Sequence, residues 1–190
     1  METDDAKDAL NRQFKTSALC IFGFALLIWG VELINMLMGH QLSLYGIFPR
    51  TLHGLIGIPL SPFLHSGIWH TLLNTIPFMV LGGLIIVRGV GVFLEVSLFV
   101  MLVGGGCLWL FGRSSYHVGA SGLIFGYFGF IVALGWFERS IGTVITAFVT
   151  LFLYGSILWG LLPVFPYVSW EGHLFGLIAG ILGARLGRSD

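Results

Sequence analysis

Two polar clusters in an otherwise apolar chain could do chemistry together. Ser121 stands in Gly119-Ala120-Ser121-Gly122 at the head of one apolar stretch, and His173 stands in Glu171-Gly172-His173 at the head of another. A serine hydroxyl is a weak nucleophile until a neighbouring base takes its proton, and histidine titrates in the range that suits a base. In the first turn of a helix, Ser121 would have unpaired backbone N–H groups beside it. The positive end of the helix dipole lies there too, and both favour a developing negative charge. His70 and Asn74 are four residues apart and share one helical face; both can donate hydrogen bonds to an oxyanion. Nucleophile, base and oxyanion donors make the parts list of acyl transfer. Each residue alone also has a plainer role: an N-cap among small packing residues for Ser121, interhelical hydrogen bonds for the others. Gly119-Ala120-Ser121-Gly122 is not the GxSxG elbow of soluble hydrolases, because Leu123 takes the last glycine position and no strand precedes it.

The elements that must position these residues are membrane helices. The chain has 190 residues, 56% hydrophobic and 9% charged, against roughly 25% charged in soluble domains. So little polar surface cannot cover a domain in water. A helix crosses the bilayer core in about 20 apolar residues. Six stretches qualify, at 17–38, 68–87, 92–112, 119–137, 143–163 and 171–187. The expected fold is an all-α membrane bundle of six transmembrane helices with a long first loop, 39–66. It follows a short N-terminal segment at 1–16, the membrane domain filling 17–188. The first apolar stretch is too long for a secretory signal and reads as a retained span. No span alternates with period two, which argues against a β-barrel.

Counting Lys and Arg orients the bundle. With the N-terminus inside, Lys7, Arg12, Lys15, Arg88, Arg139, Arg185 and Arg188 are cytoplasmic, and only Arg50 and Arg113 are outside. Both termini are then cytoplasmic, and Trp69, Trp109, Trp159 and Trp170 fall near outer span ends as an aromatic belt does. Spans two, four and six all begin on the outer side. His70, Asn74, Ser121 and His173 therefore share one shallow depth and can converge. Polar residues within spans are costly and call for a reason.

Other polar groups read more plainly. Glu32 and Asn35 share a face of span one and suit a buried polar pair. His40, His53 and His117 lie in loops or at interfaces and carry no assigned role. Cys20 and Cys107 sit in apolar runs as small hydrophobes. No paired Cys/His spacing suggests zinc or haem attachment, and no basic cluster suggests nucleic acid. The expectation is no metal and no cofactor.

The residues resemble a known family, the rhomboid intramembrane serine proteases. His65, His70 and Asn74 match its H-x4-H-x3-N pattern, Gly119–Gly122 its GxSG, and Gly172-His173 with Gly176 its GHxxG. The likeness covers nearly the whole chain after residue 16. It implies a Ser121–His173 dyad, with the Ser121 N–H, His70 and Asn74 holding the oxyanion. It implies Phe125 packed on the His173 ring, where many relatives carry Tyr. It also implies that His65 supports the first loop, and that Arg50, after Pro49 where relatives often have Trp-Arg, has a structural role. The implied partners are membrane proteins with a transmembrane helix, within the lipid bilayer. The implied location is the cell membrane of a prokaryote, with the site toward the outer side.

Segment 164–170 is apolar but too short to span, and reads as a lid over the site. Glu171 is expected at the outer interface, hydrated and outside the dyad. Two rivals remain from other classes. A haem-binding electron carrier leaves Ser121 and Asn74 unexplained. A catalytically inactive relative that only holds membrane proteins would typically have lost Ser121 or His173.

Overall fold

The computed structural model describes residues 2–187, with side chains from Lys7 onward. Arg188, counted above among the inner cations, and the end of the 17–188 domain lie outside the described residues. Among those residues the architecture is all helical, without a strand; the β-like pairing is one isolated antiparallel bridge between Ile47 and His117. The protein is a multi-pass integral membrane protein. The elements are α1 (Glu2–Leu37), α2 (Leu52–Leu60), α3 (Ile68–Ile86), α4 (Val90–Phe99), α5 (Gly105–Phe111), α6 (Ser121–Phe137), α7 (Ile141–Tyr154) and α8 (Trp170–Leu186).

The structure adds detail at two places. Residues of the N-terminal segment 1–16 and span one share a single helix, α1, which starts at Glu2 and runs on unbroken. Its first turns are rich in Ala, Lys, Leu, Arg and Gln, all good helix formers. The long first connection carries elements of its own. It folds into a 3₁₀ turn (Gln41–Tyr45), α2, and a second 3₁₀ turn (Ser61–Phe63). Thr51 caps α2 by accepting the Gly54 N–H at 3.1 Å. Arg50 ties this connection to the far end of the third span, donating to the carbonyls of Leu110 (3.2 Å) and Gly112 (2.7 Å). Trp109 Nε1 answers by donating to the Thr51 carbonyl at 2.8 Å.

Four of the described helical stretches are long and apolar enough to cross a membrane: Lys7–Leu37, Ile68–Ile86, Val90–Phe111 and Ile141–Leu161. The third joins α4 to α5 through a π turn at Val100–Gly104. The fourth extends α7 through a 3₁₀ segment, Gly155–Leu161. The remaining two expected spans, α6 and α8, have 17 residues each. At 1.5 Å per residue that is about 25 Å, some 5 Å short of the roughly 30 Å hydrocarbon core. Just beyond the Phe137 end of α6, Glu138 meets Arg88 of the α3–α4 turn in an ion pair.

α6 is apolar on every side, and residues 123–131 are all buried, as a helix at the centre of a bundle must be. It packs most closely on α8. A Cβ on Gly176 would stand 2.2 Å from the Gly122 carbonyl oxygen, and one on Gly180 would stand 1.9 Å from that of Gly126. Backbone therefore lies against backbone, as small residues permit in membrane bundles. The Glu32–Asn35 pair expected on span one is present. Both are fully buried, and Asn35 also donates to the His65 carbonyl at 2.9 Å.

Candidate active site

The turn before α6 is built around Gly119, whose φ of 117° suits only glycine. Any Cβ there would also stand 2.8 Å from the His70 ring. The Gly119 N–H donates to the Ser61 carbonyl (2.9 Å), and the Ala120 N–H donates to His65 Nε2 (3.3 Å). His65 thus holds the backbone immediately ahead of Ser121. Because Nε2 accepts, the ring is neutral with its proton on Nδ1. Burial, followed by the nearby His70, lowers the His65 pKa to about 3. Burial also depresses His117, in the loop before α6.

These depressions predict acid sensitivity. Unfolded histidines titrate near 6.5, so between that value and the folded pKa the unfolded chain binds more protons. The stability that both rings contribute is complete above pH 6.5 and is lost as pH falls. The thermal midpoint in detergent is expected to drop steadily from pH 7 to pH 4.5. His65→Asn, which keeps an acceptor for Ala120, should flatten that slope, and an unchanged slope would exclude His65 as its source.

Ser121 opens α6 and His173 lies in the first turn of α8, and the glycine contact brings the two helices together there. His173 Nε2 is 2.9 Å from Ser121 Oγ, and His173 Nδ1 is 2.8 Å from the carbonyl oxygen of Gly160. A carbonyl only accepts, so Nδ1 carries the proton and Nε2 presents its lone pair to the serine hydroxyl. Phe125, one turn after Ser121, stacks on the imidazole at 4.2 Å between centroids and 8° between planes. The ring is clamped in the orientation that a base needs.

His70 and Asn74 face the same place. The Ser66 N–H (3.4 Å) and Ser66 Oγ (3.0 Å) both approach His70 Nδ1, which leaves the ring proton on Nε2, the atom beside the Gly119 turn. The Asn74 amide donates to the His70 carbonyl at 2.8 Å. A cavity of about 510 Å³ opens among Ser121, His173, His70 and Asn74, with the Pro166–Ser169 turn along one edge.

A serine and a histidine in hydrogen-bond contact thus stand at the heads of two short helices packed through glycines. The Rhomboid domain model matches residues 52–189. The chain belongs to the rhomboid family. This rhomboid is also similar to uncharacterized proteins of mycobacteria. One, from Mycobacterium tuberculosis, is 39% identical over 175 residues, covering 87% of this chain and 73% of that protein. Another, from Mycobacterium leprae, is 40% identical over 187 residues, covering 93% and 74%.

Four features of this rhomboid's site lie outside the sequence expectations. Glu171 is not hydrated at an interface. It is buried, its Oε1 3.4 Å from the Arg113 N–H and 3.8 Å from Arg113 Nε. The loop before α6 folds back over the start of α8, which no local pattern announces. It makes no hydrogen bond to His173. Phe165 of the lid segment points outward, 61% exposed, and the cavity edge is formed by Pro166–Ser169 instead. Gly160 escaped notice because the group that matters is its backbone carbonyl, and the 3₁₀ segment carrying it reads as the tail of a span. A Cβ on Gly160 would come within 3.0 Å of His173 Nδ1. His117, assigned no role, bridges Arg113 O (3.1 Å) and Ser169 Oγ (2.6 Å).

Proposed function

We propose that this rhomboid is an intramembrane serine endopeptidase that hydrolyses peptide bonds in or near the transmembrane segment of membrane-protein substrates. The observation that carries the reading is the 2.9 Å Ser121–His173 contact with Nδ1 spent on a carbonyl. Ser121 Oγ attacks the scissile carbonyl carbon while His173 Nε2 takes its proton. The carbonyl oxygen becomes an oxyanion facing the Ser121 N–H, His70 Nε2 and the Asn74 amide. The C–N bond then breaks, the imidazolium returns its proton to the leaving amine, and water hydrolyses the acyl-enzyme by the same steps. Phe125, Gly119, Gly122 and His65 position these groups. The substrate helix unwinds locally to bring its carbonyl to the serine, and water reaches the site through the cavity. The charge bias argues for cytoplasmic termini and an outward-facing site in the cell membrane of a prokaryote.

The test is to treat the purified full chain in detergent with a fluorophosphonate probe and, separately, to offer it a single-span membrane protein in liposomes. Phosphonylation of Ser121 and a discrete cut are expected. Folded protein that neither labels nor cleaves would remove the proposal and favour the inactive relative.

The donor assignment has its own check. His70→Ala and Asn74→Ala should each lower kcat, by up to roughly 10²-fold, with little change in KM. Wild-type turnover in both variants and in their double would show that the Ser121 N–H and others hold the oxyanion alone.

A further inference from the structure

We propose that Arg113 is a positioning residue for the lid and sets which substrates reach Ser121, an inference that rests on the serine-hydrolase reading above. The segment over the cavity edge is not held by burial. Val164 and Phe165 are largely exposed and Tyr167 is wholly so. What holds it is polar. Arg113 Nη2 donates to the carbonyls of Pro166 (3.1 Å) and Val168 (2.6 Å), so one guanidinium clamps both sides of Tyr167. His117 adds a tie one residue later: its Nε2–H donates to the Arg113 carbonyl, leaving Nδ1 to accept from Ser169 Oγ at 2.6 Å.

The clamp is itself anchored. Glu171 sits in the first turn of α8, two residues before His173, and its buried carboxylate faces Arg113. The carboxylate's second oxygen has no hydrogen-bond partner among the described residues. Arg113 is therefore the counter-charge that makes a buried Glu171 tolerable. It joins three things: the lid, the loop leading into Ser121 and the helix carrying His173. An arginine fork is suited to bridging carbonyls in this way, and a lysine is not. Charge-assisted bonds at a half-exposed arginine are moderate in strength, so the turn is held shut but can be released without breaking a hydrophobic core. A small reagent can reach Ser121 through the existing cavity, whereas an unwound substrate segment needs Pro166–Ser169 moved aside.

Two measurements on the full chain test this, and one does not depend on activity. Limited chymotrypsin cleavage at Tyr167 should be faster in Arg113→Ala than in wild type, with Arg113→Lys between them. In liposomes, Arg113→Ala should cleave a single-span substrate with kcat/KM raised roughly threefold or more. Phosphonylation of Ser121 by a small fluorophosphonate should stay within about twofold, which also reports an intact fold. Unchanged chymotrypsin cleavage in both variants overturns the clamp. So does an unchanged or lower kcat/KM alongside normal phosphonylation. Wild-type protein that fails to phosphonylate at all, yet shows the faster Tyr167 cut on substitution, would leave the clamp standing and remove the serine-hydrolase reading instead.

Discussion

Ser121→Ala and His173→Ala should each abolish cleavage of a membrane substrate, by at least roughly 10⁴-fold, and the double variant should be no worse than either. In the proposed mechanism the two residues act as one unit. The imidazole is the one side chain among the described residues that hydrogen-bonds Ser121 Oγ, so losing it leaves the hydroxyl without a base, and without Oγ the imidazole has nothing to activate. Neither change should harm folding much. Ser121 is a small side chain at a helix start, and the packing of α6 on α8 runs through glycines further along. The measurement pairs turnover with the thermal midpoint in the same detergent. Ser121→Ala protein that keeps substantial turnover at an unchanged midpoint would end the assignment.

The second large effect lies in the contact between α6 and α8. A Cβ on Gly176 or Gly180 would overlap the carbonyl oxygen of Gly122 or Gly126, and that oxygen belongs to helix backbone that cannot swing away. Gly180→Leu should yield no folded protein. Gly176→Ala, nearest the dyad, should push the helices apart by about 1 Å and lower Ser121 phosphonylation about 10²-fold, since misplacement on that scale costs as much. Gly183→Ala is the control, because its Cβ would meet only ring carbons of Phe99 and Phe130, at 3.4 and 3.8 Å. If Gly176→Ala matches Gly183→Ala in midpoint and labelling, the helix contact is softer than the geometry requires.

The residues brought together at the cavity were legible because of where they are costly. Ser121, His173, His70 and Asn74 stood out as polar groups at the same end of alternate spans, and a membrane makes that arrangement conspicuous. The glycine rhythm at 172, 176 and 180 likewise announced close helix packing. What escaped was carried by groups that leave no pattern. The Gly160 carbonyl is common to every peptide unit, and only the 3₁₀ turn of Gly155–Leu161 aims it at His173. Burial of Glu171 depends on Arg113 arriving from 58 residues away in sequence. α2 hid in the first connection because Gly54, Gly57 and Pro59 punctuate it like a loop, while tertiary contacts keep it helical.

That carbonyl has a consequence for how the protein can be damaged. In soluble serine proteases a carboxylate side chain orients the histidine, so one codon change can delete the orienting group. Here the group belongs to the main chain, and no substitution at residue 160 removes it. Inheritance can only misdirect it, by bending the turn that presents it or by filling the space in front of it. The orienting function is then spread over a stretch of backbone geometry, and inactivating mutations at this point should scatter along 155–161 instead of falling on a single acidic position.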